Sequence, residues 1–380
     1  PINEIDEITS NKEIHSSNFN YYWILLTEAN AESFLSLGKL YNFGHDLDKN
    51  IQKAIEYYKL AARSNISDGY YYLGLIYENN DGIKQDYSTA KGYYELSARQ
   101  NNAKSIYRLG YLYMKGYGVQ QDYLKAKEYF LLSAKQNNSN ALLELGNIYF
   151  DGLGIEKDYI KAKEYFEQSA KHNNFYAYYN LAIMYEKGIG CHQDLSKAKK
   201  LYKLSAQKND HTNILVNLGD MYFQGHLFKQ NYSKAKYYYE IALKENNPRA
   251  LNNLGMIYLH GYSVEKDYLK AKHYFELAAK QNVSMSYVNL GLIYANGYGV
   301  KQNFFKAKDY YELAVEKNNC YAQLILGLLY YEGHFVTRDI NKSIYYLSLA
   351  ANQNNVDAIL KLSYIYKYIT LGSCVRKKNV

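Results

Sequence analysis

Residues 107–138 read YRLGYLYMKGYGVQQDYLKAKEYFLLSAKQNN, and nearly the same words return on both sides of them. The segment DYLKAKEYF at 122–130 recurs as DYIKAKEYF at 158–166 and as DYLKAKHYF at 267–275. A catalytic motif is usually written once, whereas a packing motif is written as often as there are copies to pack. With Leu109 as position 0, equivalent leucines fall at Leu37, Leu73, Leu145, Leu181, Leu218, Leu254, Leu290, Leu326 and Leu362. The interval is 36 residues except for one of 37 between Leu181 and Leu218, where the extra residue falls in the turn around NDHTN. A fixed period of this length is the mark of stacked supersecondary units.

Each unit spells two helices. In the first, position +3 is aliphatic or Met in every copy, from Leu40 to Ile365, and +4 is always tyrosine, from Tyr41 to Tyr366. Positions −4, 0, +3 and +4 share one helical face. Glycine follows the leucine in eight copies. Glycine costs about 1 kcal/mol inside a helix, so its recurrence predicts a close approach that leaves no room for a side chain. A turn follows, with glycine at +7 in eight of nine full units and a second at Gly82, Gly118, Gly154, Gly190 and Gly299. The second helix opens at +13, which is Asp or Asn in all nine, as suits an N-cap. Positions +14, +17, +21 and +24 make its buried stripe, Tyr123, Ala126, Phe130 and Ser133 in the third unit. Asparagine at +28 in all nine predicts a left-handed C-cap.

Composition agrees with an elongated helical array. Prolines occur only at Pro1 and Pro248, which leaves long uninterrupted helices. The 48 tyrosines point to much shallow interior, where a ring is buried and its hydroxyl stays near water. The net charge of +8 is mild for 380 residues. Cys191, Cys320 and Cys374 follow no metal-ligand or disulfide spacing, which suggests a reducing compartment. No stretch is apolar and long enough to span a bilayer, and the N-terminal PINEIDEITSNKEIHSS is not a signal peptide, so a cytoplasmic location is expected. The start at Pro1 without methionine fits a piece of a longer chain.

The combination LG.[IL]Y..G.GV, then D..KA..YY..[AS]A, at a 36-residue period resembles the Sel1-like repeat family, a relative of tetratricopeptide repeats. Residues 31–369 carry the resemblance, with asparagine at +28 where that family usually carries glycine. It implies an all-α, right-handed α/α superhelix of about nine full helix–turn–helix repeats, with partial capping repeats at both ends. NFNYYWILLTEAN at 18–30 aligns with a second helix, placing Tyr21 and Tyr22 at +20 and +21. The expected organisation is therefore a disordered segment or linker at 1–16, one solenoid at 17–369 and a basic tail at 370–380.

No polar constellation of the kind an enzyme needs is legible, and no metal or cofactor is expected. His45, His226 and His334 each follow a turn glycine but lie in the first, sixth and ninth repeats. The recurring Lys-Ala-Lys, as at Lys125 and Lys127 or Lys306 and Lys308, offers a basic stripe for phosphates. However, residues two apart diverge by about 200° around a helix, and Glu128, Glu164 and Asp309 stand ready to pair. A solvated face is the better reading, and nucleic acid is not the expected partner.

The resemblance implies that the first helices line a concave face. On it, four consecutive repeats place asparagine at −1: Asn180, Asn217, Asn253 and Asn289. An amide offers donor and acceptor together and suits the backbone of an extended peptide. Ile183, Met256 and Leu292 at +2 add apolar contact, beside Asp220. These eight residues form the candidate partner site; the plainer alternative is that the asparagines bond to neighbouring repeats. The expected function is a monomeric, non-catalytic scaffold for a protein or peptide. The rival readings are the regulatory repeat region of a larger enzyme such as a protein kinase, and an adaptor in endoplasmic-reticulum-associated degradation.

Overall fold

The computed structural model describes residues 30–44, 48–80, 82–207 and 212–376. The expectations for residues 1–29 and for His45 lie outside that range. Every regular element among the described residues is a helix, and there are nineteen. They fall into two compact units, divided between Ser205 and Ala206. The first holds α1 (Ala31–Phe43), α2 (Ile51–Arg63), α3 (Ser67–Glu78), α4 (Tyr87–Arg99), α5 (Ala103–Lys115), α6 (Tyr123–Ala134), α7 (Ser139–Asp151), α8 (Tyr159–Lys171), α9 (Phe175–Lys187) and α10 (Leu195–Ser205). The second holds α11 (Thr212–Gln224), α12 (Tyr232–Lys244), α13 (Pro248–His260), α14 (Tyr268–Lys280), α15 (Ser284–Asn296), α16 (Phe304–Glu316), α17 (Cys320–Glu332), α18 (Ile340–Asn352) and α19 (Val356–Arg376). Within each unit every helix packs on its neighbours in sequence, so each unit is an all-α stack of helix pairs.

The local signals set the helix ends. Asp122 Oδ1 accepts from the Lys125 backbone amide at 2.9 Å, and the other +13 residues cap their helices in the same way. Asn65, Asn101, Asn137, Asn173, Asn246, Asn282, Asn318 and Asn354, all at +28, have φ between 53° and 63°, the left-handed conformation that asparagine tolerates best after glycine. The next asparagine does two jobs. Asn102 Oδ1 caps α5 through the Ser105 amide at 3.1 Å, while its Nδ2 donates to Ser67 Oγ and Asp68 Oδ1 of the preceding repeat.

The core runs along the helix-pair seam. Ala54, Ala90, Ala126, Ala162, Ala198, Ala235 and Ala271, at +17, are fully buried. The +21 rings lie over the glycine of the partner helix, Phe130 over Gly110 and Tyr239 over Gly219. Burying such a ring contributes about 1.5–3 kcal/mol. A second ring layer closes the pair at its edge. In eight of the nine full repeats the +4 tyrosine stacks on the +20 tyrosine of the same repeat, as Tyr113 does on Tyr129 and Tyr330 on Tyr346, with centroids 5.7 and 5.8 Å apart; in the fifth, +20 is Leu201.

The lysine pairs belong to this edge. The first lysine of each pair covers the +4 ring, Lys125 at 4.4 Å from the Tyr113 centroid and Lys270 at 4.2 Å from Tyr258. In four repeats the second pairs with a glutamate one turn on, Lys163 with Glu167, Lys272 with Glu276 and Lys308 with Glu312 at 2.8 Å and Lys236 with Glu240 at 2.9 Å, whereas Lys127 has Leu131 at that place. Those glutamates, rather than Glu128, Glu164 or Asp309, are the partners: Lys125, Lys161 and Lys306, three residues before the latter, are seated over Tyr113, Tyr149 and Tyr294 instead, and the second lysines meet the acid four residues on.

Candidate functional site

The −1 asparagines face the preceding or following repeat. Asn180 Nδ2 donates to Asn147 Oδ1 at 3.1 Å, Asn253 Nδ2 to Asp220 Oδ1 at 2.7 Å and Asn289 Nδ2 to Asn252 Oδ1 at 3.1 Å. Asn217 Oδ1 accepts from Arg249 Nη1 at 2.9 Å. Each therefore ties adjacent first helices together.

In the second unit these contacts border a cleft of about 340 Å³ between α11, α13 and α15. Asp220, Asn253, Met256 and Asn289 line it, together with Phe223, Tyr239, Arg249 and Met285. Asn217 reaches it through Arg249. Leu292 instead packs, partly buried, with the apolar cluster around Tyr311. In the first unit Asn180 and Ile183 line a smaller cleft of about 190 Å³ with Asn147, Phe150, Asp151 and Phe166. The two clefts occupy the same register: positions +2, +5, +6 and +21 of one repeat face −1 and +2 of the next. Sequence reasoning grouped residues that the fold distributes between two such clefts.

Asp220 is the electrostatic centre of the larger one. Its Oδ1 accepts from Tyr239 Oη and Asn253 Nδ2, both at 2.7 Å, and its Oδ2 meets Arg249 Nη2 at 2.8 Å. Burial pushes the Asp220 carboxyl above the usual aspartate range, against the pull of Tyr239, Arg249 and Asn253. Burial and the Asp220 charge both raise the Tyr239 hydroxyl. The phenol therefore stays a donor, and the carboxylate is held by neutral groups and one cation. The result is a near-neutral polar wall facing two methionines, suited to amide and apolar groups rather than to a strong anion.

Two members were not legible beforehand. Arg249 sits at −5, a position that varies from copy to copy, and its reach back by one repeat is visible only in the folded chain. Tyr239 was read as a core ring, yet its hydroxyl needs a partner. The signal lay in the choice of tyrosine over phenylalanine at +21. Where that ring is Tyr94, its hydroxyl donates to Glu78, which also pairs with Arg108 Nη1 at 3.2 Å; where it is Tyr202, it donates to Glu186 Oε2 at 2.5 Å. An acid at +2 or +5 accompanies the tyrosine in these three repeats, whereas Tyr58 and Tyr311, also at +21, have Lys39 and Asn42 or Leu292 and Ala295 at those places.

His226 and His334 are exposed, and His334 Nδ1 lies 3.1 Å from Glu332 Oε2. Among the described residues no group of three His, Cys, Asp or Glu side chains could hold a metal ion, and no helix is long and apolar enough to cross a membrane.

The Sel1 repeat family matches the chain at residues 30–66, 67–102, 103–138, 139–174, 175–210, 215–247, 248–283, 284–319 and 320–355. Among solved structures, a protective antigen of uropathogenic Escherichia coli with an SLR fold is 26% identical, with a TM-score of 0.58 over 92% of this chain and 82% of that one. A Sel1 repeat protein from Oxalobacter formigenes is 28% identical, with a TM-score of 0.58 over 66% of this chain and 100% of that one. A STAND protein with a tetratricopeptide repeat sensor from Pyrococcus horikoshii shares the fold alone, at 15% identity and a TM-score of 0.51 over 90% of this chain and 54% of that one. A search of curated proteins found no match.

Proposed function

Because the chain belongs to the Sel1 repeat family, we propose that it is a non-catalytic interaction scaffold, and that the first-helix clefts hold extended segments of a protein partner. Sel1-like and tetratricopeptide-like repeats serve generally as protein-interaction scaffolds, and stacked helix pairs expose a large surface per residue. The observation that carries the site is the α11–α13–α15 cleft, where the polar cluster of Asp220, Asn253 and Asn289 faces Met256 and Met285. Amides on one wall match peptide backbone, and methionines adapt to varied side chains. The smaller cleft at Asn180 and Ile183 offers the same register to a second segment.

The test selects short extended peptides from a display library on the intact chain and titrates them against variants. Met256→Ala with Met285→Ala is expected to weaken the selected peptides about tenfold, equal to about 1.4 kcal/mol. Asn217→Ala with Asn253→Ala should weaken them too, with a modest loss of thermal stability from the broken Asp220 contact. Unchanged affinity in both variants would rule the cleft out.

A further inference from the structure

A pair of exposed rings marks a second surface, between the eighth and ninth repeats. Phe305, at +15 on α16, is 79% exposed, more than any other large hydrophobic side chain among the described residues, and Phe335, in the turn after α17, is 53% exposed. Single exposed apolar residues are ordinary. These two line one cleft, and Phe335 is held there against the preference of its own backbone. It occupies +9, where five other repeats carry glycine, and its φ is 62°. A β-carbon disfavours that left-handed region.

Packing alone had a simpler solution available. In other turns the tyrosine at +8 stacks on the +14 ring of the preceding repeat, as Tyr117 does on Tyr87 and Tyr298 on Tyr268, and glycine follows it. Here +8 is the exposed His334, and the stacking ring has moved on to Phe335, which lies over Phe304 with its plane 9° from parallel. The move brings a ring to the cleft that Phe305 lines. Leu227 and Ser263 also replace the +9 glycine, but the +15 residue of the repeat before each is a serine.

The cleft has a volume of about 720 Å³. Its apolar wall is Phe305, Phe335 and Val336, and its cations are Lys308, Arg338 and Lys342 against one acid, Asp339. Asp339 Oδ1 is taken by the Lys342 backbone amide at 2.9 Å, and Lys308 is paired with Glu312 at 2.8 Å. The Arg338 and Lys342 side chains stand over the Tyr331 and Tyr330 rings and meet no carboxylate among the described residues. Rings beside cations without acidic partners complement a ligand that is apolar and acidic at once.

We propose that this cleft is a second docking site, for a protein segment in which an aromatic or large aliphatic side chain is flanked by carboxylates. The apolar side chain lies between Phe305 and Phe335, and the acids meet Arg338 and Lys342. A concave cleft between two repeats takes a segment of chain, whereas a bilayer needs a projecting surface. The site shares no residue with the α11–α13–α15 cleft and does not depend on it.

The test selects short random peptides displayed on phage against the intact chain and titrates the enriched ones. Peptides that combine carboxylates with an aromatic or large aliphatic residue are expected, and Phe305→Ser should weaken them about tenfold. Arg338→Glu with Lys342→Glu should weaken them at least as much, with the loss shrinking as salt is raised. Phe335→Gly should weaken them too, while giving the turn the residue that five other repeats use. Met256→Ala with Met285→Ala should leave these peptides unaffected, which separates this site from the first-helix cleft. Circular dichroism checks that each variant is folded, and Arg338→Gln replaces the charge-reversed pair if it is not. Phosphatidylserine vesicles and a single-stranded oligonucleotide are titrated in parallel. The proposal is overturned if no enriched peptide responds to Phe305→Ser, if those that respond carry no acid, or if the Phe305-dependent ligand is the vesicle or the oligonucleotide instead.

Discussion

Phe166 lies against the backbone of Gly146 so closely that a Cβ on that glycine would stand 2.3 Å from its Cε1. The same contact recurs at Gly255 and Phe275, at 2.5 Å, and at Gly291 and Tyr311, at 2.3 Å. The Leu-Gly signature is thus half of a pair whose other half is the +21 side chain, a ring in every copy but the last, where Gly327 meets Leu347.

Gly146→Ala should therefore destabilise the chain although it improves helix propensity. The gain of about 1 kcal/mol from replacing a helical glycine is outweighed by overpacking, for a net loss of about 1–2 kcal/mol. Gly146→Ala with Phe166→Leu should recover part of the loss, since a smaller side chain can withdraw from the new methyl. Urea midpoints of the two variants against wild type check the order.

The Asp220 cluster predicts an asymmetry. Tyr239→Phe removes one of three donors to the carboxylate and should cost about 1 kcal/mol. Asp220→Ala leaves Tyr239 Oη, Asn253 Nδ2 and Arg249 without their shared acceptor. It should cost about 2–3 kcal/mol, less than a fully buried pair because Arg249 is half exposed. Thermal melting of both variants, read at one pH, decides it; an equal loss would mean that water replaces the carboxylate at little cost.

Glu144 gives a pH dependence of definite sign. Burial lifts its carboxyl above the usual glutamate range, outweighing the hydrogen bond from Asn147 and the charge of Lys115. The folded state then holds the proton more tightly than the unfolded chain. Its contribution is most favourable below the unfolded value and falls as pH rises through the window up to the raised folded value. Glu144→Gln keeps the acceptor for Asn147 and lacks the charge. Its melting temperature should gain on wild type across that window and hold a constant advantage above it, in melts at a series of pH values.

How far the fold could be read in advance follows from the range of each interaction. The caps at Asp122 and Asp158 and the left-handed turns at Asn101 and Asn137 are decided within a few residues, and all were legible. The need for Gly110 was legible as a close approach, though not the ring it admits, because facing helices are linked only through the fold. The lysines show the same limit. Pairing along the helix was expected at Glu128, Glu164 and Asp309 but falls on Glu167, Glu276 and Glu312, because the lysines' seats over Tyr113 and Tyr258 depend on how two helices turn toward each other. Arg249 was least legible, since its partners Asn217 and Asp220 lie 32 and 29 residues back.

Those separations carry a consequence for how such a chain is made and changed. The side-chain bonds between first helices of adjacent repeats span 29 to 37 residues, from Arg249–Asp220 to Asn289–Asn252, so every closure that adds a helix pair carries a similar, modest entropy cost. Folding within each unit can start at any pair and grow outward, and contacts of such short range favour rapid folding. The same uniformity acts on the gene. A period of 36 residues can be duplicated or lost with its caps, rings and lysines intact, and the new neighbours meet through contacts already used elsewhere. Length in this architecture is a heritable variable, adjustable without redesigning the core.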